Sequence, residues 1–100
     1  MVTLIKSAAE IPQVGLVLID FFATWCMPCQ RAAPVLVELS EKFPTVTFLK
    51  VDCDDSEELA STFSIRSLPT FVFLKDGEKV ATIEGADMNA VYARLKALTA

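Results

Sequence analysis

The sequence contains no histidine at all, which removes every histidine-containing metal site and any Cys/His catalytic dyad from consideration. It holds only three cysteines, too few and of the wrong parity for the disulfide framework of a small secreted scaffold. Basic residues are scarce as well: nine Lys and Arg against thirteen Asp and Glu leave a net charge of -4. Nine scattered cations do not form the clustered surface that phosphate binding relies on, so no nucleic-acid partner is expected. Glycine and proline number only three and five, and no repeat, low-complexity tract or linker interrupts the chain. Long apolar runs are missing too. The longest, Val14 to Ala23, is broken by Asp20 and falls far short of the roughly 20 residues that span a bilayer as a helix, so no membrane partner is expected. The first residues, Met1 to Lys6, lack the basic segment, apolar stretch and cleavage site of a signal peptide. These absences lead us to expect a mature cytoplasmic protein, working as a monomer.

What the chain has in quantity is apolar side chains, 53% of its 100 residues, enough for one real core in a single domain over residues 1–100. Leu16 to Phe22 is almost continuously apolar and rich in Val, Ile and Phe, the pattern of a central strand buried on both faces. From Pro28 to Phe43, Ala32, Leu36, Leu39 and Phe43 step by four, three and four, which predicts an amphipathic helix stopped by Pro44 and kinked at Pro34. Val46 to Cys53 reads as a second buried strand. Asp55-Ser56-Glu57-Glu58 offers a capping box for a short helix through Phe63. Thr70 to Lys75 and Lys79 to Glu84 flank Asp76-Gly77, a hairpin signal. Met88, Val91, Tyr92, Leu95 and Leu98 mark a closing helix, while Thr3 to Lys6 and the segment after it give a first strand and a short first helix limited by Pro12. The predicted order is β-α-β-α-β-α-β-β-α: an α/β domain whose mixed sheet carries helices on both faces.

Trp25-Cys26-Met27-Pro28-Cys29 is the chemically richest stretch. Two thiols at this spacing can close a small disulfide or share a metal ion. They fall where the central strand ends and a helix begins, the place where reactive groups of open α/β sheets gather. The unpaired amides and dipole of that helix end favour a thiolate at Cys26, with Cys29 one turn further in and suited to attack a mixed disulfide formed there. A bridge closing so short a loop gains only roughly 2 kcal/mol of chain entropy. Such a bridge is a poor staple and a better reversible two-electron store, with Pro28 restricting the backbone between the sulfurs. Asp20 is a lone carboxyl in an apolar strand. Burial would raise its pKa and fit it to exchange a proton with a thiol; the blander alternative turns it outward at a strand end.

Asp20 to Cys26, Pro28-Cys29, Pro34, Val51-Asp52, Ser67 to Phe71 and Gly85-Ala86 together resemble the thioredoxin family over essentially the whole chain. Thioredoxins are among the proteins from which the rule of lowered thiol pKa is drawn, so the thiolate reading and the resemblance are not independent. The resemblance implies the thioredoxin fold, with a five-stranded mixed sheet in the order 1-3-2-4-5 and four flanking helices. It implies that Cys26 attacks substrate disulfides and Cys29 resolves them, with Asp20 as buried acid/base and Lys50 as its charge neighbour. It also implies a cis Leu68–Pro69 bond facing the cysteines, next to a backbone edge that pairs with substrate, and a docking rim of Trp25, Leu68, Pro69, Gly85 and Ala86. Without it, Pro69 would read as an ordinary trans proline at a strand start. No bound cofactor or metal is implied. Electrons would come from NADPH through a thioredoxin reductase and pass to disulfide-bearing proteins such as peroxiredoxins.

Two departures stand out: the family usually has glycine where this chain has Met27 and lysine where it has Gln30. Met27, Pro28 and Lys50 are therefore the positions expected to tune the redox pair. Cys53, the leftover thiol, reads first as a small buried hydrophobe, with an oxidation site or a third metal ligand as alternatives. Two rival functions remain at this point: a thiol oxidase or isomerase, and a zinc or iron–sulfur scaffold built on Cys26, Cys29 and Cys53.

Overall fold

Alternation along the central strand decides how the chain is layered. In β2 (Leu16–Phe22), Val17, Ile19 and Phe21 point to one face and Leu18 to the other, each fully buried, as a strand covered on both sides requires. The computed structural model describes residues 1–100 and builds a five-stranded sheet around β2, in the order β1-β3-β2-β4-β5. Strands β1 (Thr3–Leu4) and β3 (Thr47–Asp52) run parallel to their neighbours. Strands β4 (Thr70–Lys75) and β5 (Glu78–Glu84) add an antiparallel hairpin. Its turn needs left-handed backbone at Asp76 (φ 51°) and Gly77 (φ 85°), which Asp and Gly tolerate. Asp76 also ties the turn to the start of β2, its Oδ1 accepting the Gly15 N–H at 2.8 Å.

Helices α1 (Met27–Lys42) and α3 (Met88–Thr99) cover one face, burying Leu36, Leu39, Val91 and Leu95 against Leu18, Phe48, Phe71 and Phe73. Helix α1 runs on through Pro34 as one element. Asp87 caps α3 by accepting the Ala90 N–H at 3.0 Å. The opposite face is covered by the short α2 (Glu57–Thr62) and the N-terminal segment, with Leu59, Ile5 and Ile11 on Val17, Ile19, Phe21 and Val72. Burying each such side chain contributes about 1.5–3 kcal/mol, so the two layers hold the sheet between them.

The strand order matches the expectation; the helix count does not. There are three α-helices, not four, because the segment limited by Pro12 makes only a 3-10 turn at Ala8–Glu10. There the Glu10 carboxylate accepts the backbone N–H groups of Lys6 and Ser7 at 2.8 and 3.0 Å. The capping box expected at Asp55–Glu58 is absent. Helix α2 starts one residue later, with Ser56 at the N-cap and no side-chain capping bond; three positions on stands Leu59, which has no carboxylate to return. No helix is long and apolar enough to cross a membrane.

Candidate active site

The chain leaves the sheet at Phe22 and reaches the N-cap of α1 at Cys26, whose extended backbone (φ -84°, ψ 109°) delivers Met27 as the first helical residue. Pro28 follows in the first turn, where a missing N–H costs nothing. Cys29 comes next, its N–H donating to the Cys26 Sγ at 3.3 Å. Cys26 and Cys29 are joined by a disulfide, with Cα atoms 5.3 Å apart.

Both cysteines are buried, 5% and 3% exposed, so coverage barely separates them. Their surroundings do. Cys26 lines an open groove of about 510 Å³ together with Trp25, Met27, Pro28 and Leu68. Cys29 lines a separate cavity of about 100 Å³ on the other side, shared with Asp20, Gln30 and Lys50.

Asp20 lies in mid-strand, 4% exposed, between Lys50 of β3 and Phe71 of β4 in the ladder. Its Oδ1 has no hydrogen-bond partner, and buried polar atoms are rarely left so. Burial pushes its carboxyl up from 3.8 to about 7, with Lys50 pulling the other way. Lys50 is in register with it but makes no ion pair; its ammonium sits 5.9 Å from the Phe22 ring centroid. The outward-turned alternative for Asp20 is therefore wrong.

On the groove side, Trp25 and Met27 are 68% and 64% exposed, an apolar pair on the rim. The Trp25 indole is pinned by donating to Asp54 Oδ2 at 2.8 Å. The Leu68–Pro69 bond is cis. Leu68 borders the groove, and its backbone N–H and C=O make no hydrogen bond within the chain. Gly85 donates its N–H to the Pro69 carbonyl at 2.8 Å, which brings Gly85 and Ala86 beside Pro69, although neither lines the groove itself. Cys53, expected to be buried, is a half-buried free thiol just past β3. Burial, then Asp52, Asp54 and Asp20, push its pKa up to about 11.

Nowhere do three or more Cys, Asp or Glu side chains converge as metal ligands, so the three cysteines are not arranged as one donor set. Sequence reasoning missed Asp54, Arg66 and Glu84. Arg66 borders the groove and is held by Glu84, a contact between residues with no local pattern to announce it.

The thioredoxin family model matches residues 5–97. A thioredoxin H-type protein of Picea mariana is 46% identical over 85 residues, 85% of this chain and 68% of that protein. That relative and three further thioredoxins of plants and a fungus are matched over 47% to 68% of their own length. Among solved structures, the thioredoxin of Malassezia sympodialis superposes with a TM-score of 0.92 at 39% identity, covering 100% of this chain and 92% of that one. A yeast structure, from work on how the glutathione and thioredoxin systems resolve the thiol of a mitochondrial 1-Cys peroxiredoxin, gives a TM-score of 0.92 at 36% identity over 97% and 95% of the two chains. With this fold, this coverage and a Cys-x-x-Cys disulfide at the N-terminus of α1, the chain belongs to the thioredoxin family and is a thiol–disulfide oxidoreductase.

Proposed function

We propose that the protein is a cytoplasmic, monomeric protein-disulfide reductase in which Cys26 is the nucleophile and Cys29 the resolving thiol. In the reduced protein the Cys26 thiolate attacks one sulfur of a substrate disulfide. A Cys26–substrate bond forms, the substrate's S–S bond breaks, and the departing thiolate takes a proton. Asp20, as a carboxylate, then accepts the Cys29 proton across their shared cavity. The Cys29 thiolate attacks the Cys26 sulfur, closing the internal disulfide and releasing the second substrate thiolate. Two electrons have moved from the protein to its substrate. A thioredoxin reductase returns them from NADPH, and no bound cofactor is needed.

One observation carries this reading: the two sulfurs have different neighbours, Cys26 the open groove and Cys29 the carboxyl cavity. A carboxyl titrating near 7 is matched to moving a proton at neutral pH. Substrate would lie as an extended strand along Leu68, whose free backbone groups suit strand addition, with Trp25, Pro69, Gly85 and Ala86 around it. Met27 adds an apolar side chain beside the nucleophile, Pro28 stiffens the bridge, and Lys50 opposes the rise in the Asp20 pKa; these three tune the pair. Peroxiredoxins are the first substrates to test, by likeness to the yeast protein studied with one. The decisive assay is NADPH-dependent reduction of insulin disulfides in the presence of a thioredoxin reductase. Cys26→Ser is expected to abolish it, and normal turnover by that variant would sink the assignment.

A further inference from the structure

The segment Arg66–Ser67–Leu68 presents the open backbone edge, yet its own N–H groups make no backbone hydrogen bond. It follows a residue in left-handed conformation, Ser64 at φ 53°, and precedes β4. Three side-chain contacts hold it instead. Thr70 Oγ1 donates to the Ser67 carbonyl at 2.6 Å. Glu84, at the end of β5, accepts from Arg66 Nε at 2.9 Å and from Nη2 at 3.2 Å. The same carboxylate meets the Ser67 hydroxyl at 3.5 Å.

Glu84 is itself fixed. It pairs with Thr70 in the hairpin ladder, and the next residue, Gly85, donates to the Pro69 carbonyl. Arg66 therefore borders both the groove that Cys26 lines and a polar cleft that Glu84 lines. An exposed ion pair adds little to stability. A two-bond fork does more for orientation, since it fixes the plane of both groups.

Resting on the docking role of Leu68 given above, we propose that Glu84 is a positioning residue. Through its fork with Arg66 it holds the 66–68 loop in the shape that pairs with an extended, disulfide-bearing protein segment. Its effect falls on protein substrates that pair with this edge and spares small disulfides that only meet Cys26.

The test uses the whole protein in a reductase-coupled assay, with insulin and dithiobis(nitrobenzoate) as the protein and small-molecule disulfides. Glu84→Gln and Arg66→Gln should each raise the KM for insulin roughly threefold, the scale of an exposed charge pair. In Glu84→Gln, which leaves every groove-lining residue in place, the kcat, the dithiol reduction potential and the small-disulfide rate should stay level, and the exchanged pair Arg66→Glu/Glu84→Arg should recover most of the loss in KM. In parallel, amide exchange at Leu68 is followed in a mixed disulfide with an insulin-derived peptide trapped by Cys29→Ser. If Leu68 becomes protected but neither single variant moves KM, the role of Glu84 is overturned and the docking reading stands. Equal losses on both substrates, or a shifted potential, also overturn it, because the effect would then lie in the dithiol. If Leu68 gains no protection, the docking reading fails and takes the proposal with it.

Discussion

The two faces of the sheet carry cores of equal size, ten buried residues each, built from different side chains. Under α2 the sheet presents mainly β-branched residues, Val17, Ile19, Val51 and Val72, covered by Ile5 and Ile11 of the N-terminal segment. Under the longer α1 and α3 it presents Leu18, Phe48, Phe71 and Phe73 against helical leucines. The first face holds no buried carboxyl. The second holds Asp20, two residues along β2 from Leu18 and beside Cys29. A sheet that is dry on one side can keep its strands in register while the other side accepts an unpaired polar group near the reactive end. The buried carboxyl thus sits on the α1/α3 face, whereas the groove beside Cys26 opens on the α2 side, where Cys53, Ala60 and Ile65 line it.

The largest effects should come from removing an aromatic from either face. Phe21 and Phe71 are both fully buried, so Phe21→Ala and Phe71→Ala should each cost about 3–5 kcal/mol. Urea unfolding of the oxidised protein checks this. A cost below about 1 kcal/mol on either side would show that one face alone holds the fold.

Asp20 sharpens the contrast with an effect of opposite sign. Folding raises its pKa from 3.8 to about 7, so the folded state keeps a proton that the unfolded chain releases. Below pH 4 both states are protonated and the ionisation of Asp20 adds no cost. Between pH 4 and 7 stability falls, and above 7 the full cost is present. A shift of about 3 units corresponds to roughly 4 kcal/mol as an upper figure. Asp20→Asn should therefore stabilise the oxidised protein by a few kcal/mol at pH 8 and change it little at pH 4. The same variant should slow insulin reduction by losing the proton acceptor for Cys29. A gain in stability that does not depend on pH would assign the cost to packing instead of charge.

Much of this is legible in the sequence. The β2 run, the Asp76-Gly77 turn and the α1 periodicity are local patterns with local causes, and the apolar run Leu16 to Phe22 coincides with β2. Cys26, Cys29 and Asp20 stood out because each is chemically unlike its neighbours. Elements decided by tertiary context were harder. The Ser7 to Glu10 segment has the spacing of a capping box, yet only a 3-10 turn forms there. Asp55 to Glu58 has the same spacing, and the helix starts one residue too late to use it. The bonds from Arg66 to Glu84 and from Trp25 to Asp54 join residues 18 and 29 apart. They exist only because the sheet brings β5 beside the loop before β4, and the turn after β3 beside the start of α1, so no window on the chain reveals them.

Cys53 offers the smallest and most discriminating check. It packs against the dry face, while Cys26 and Cys29 form their own small cluster with Ala23 at the reactive end. The Cys53 thiol is pushed from 9.0 to about 11, by burial first and then by the aspartates at 52, 54 and 20. At pH 8 its thiolate should be on the order of a hundredfold scarcer than that of an ordinary exposed cysteine, and alkylation should slow in proportion. In the reduced protein iodoacetamide should thus label Cys26 well before Cys53, as peptide mapping by mass spectrometry would reveal. Cys53→Ala should change stability by about 1 kcal/mol or less and leave insulin reduction intact. If Cys53 were labelled as fast as Cys26, thiol reactivity would be a property of the groove that both residues line and not of the helix N-terminus that holds Cys26.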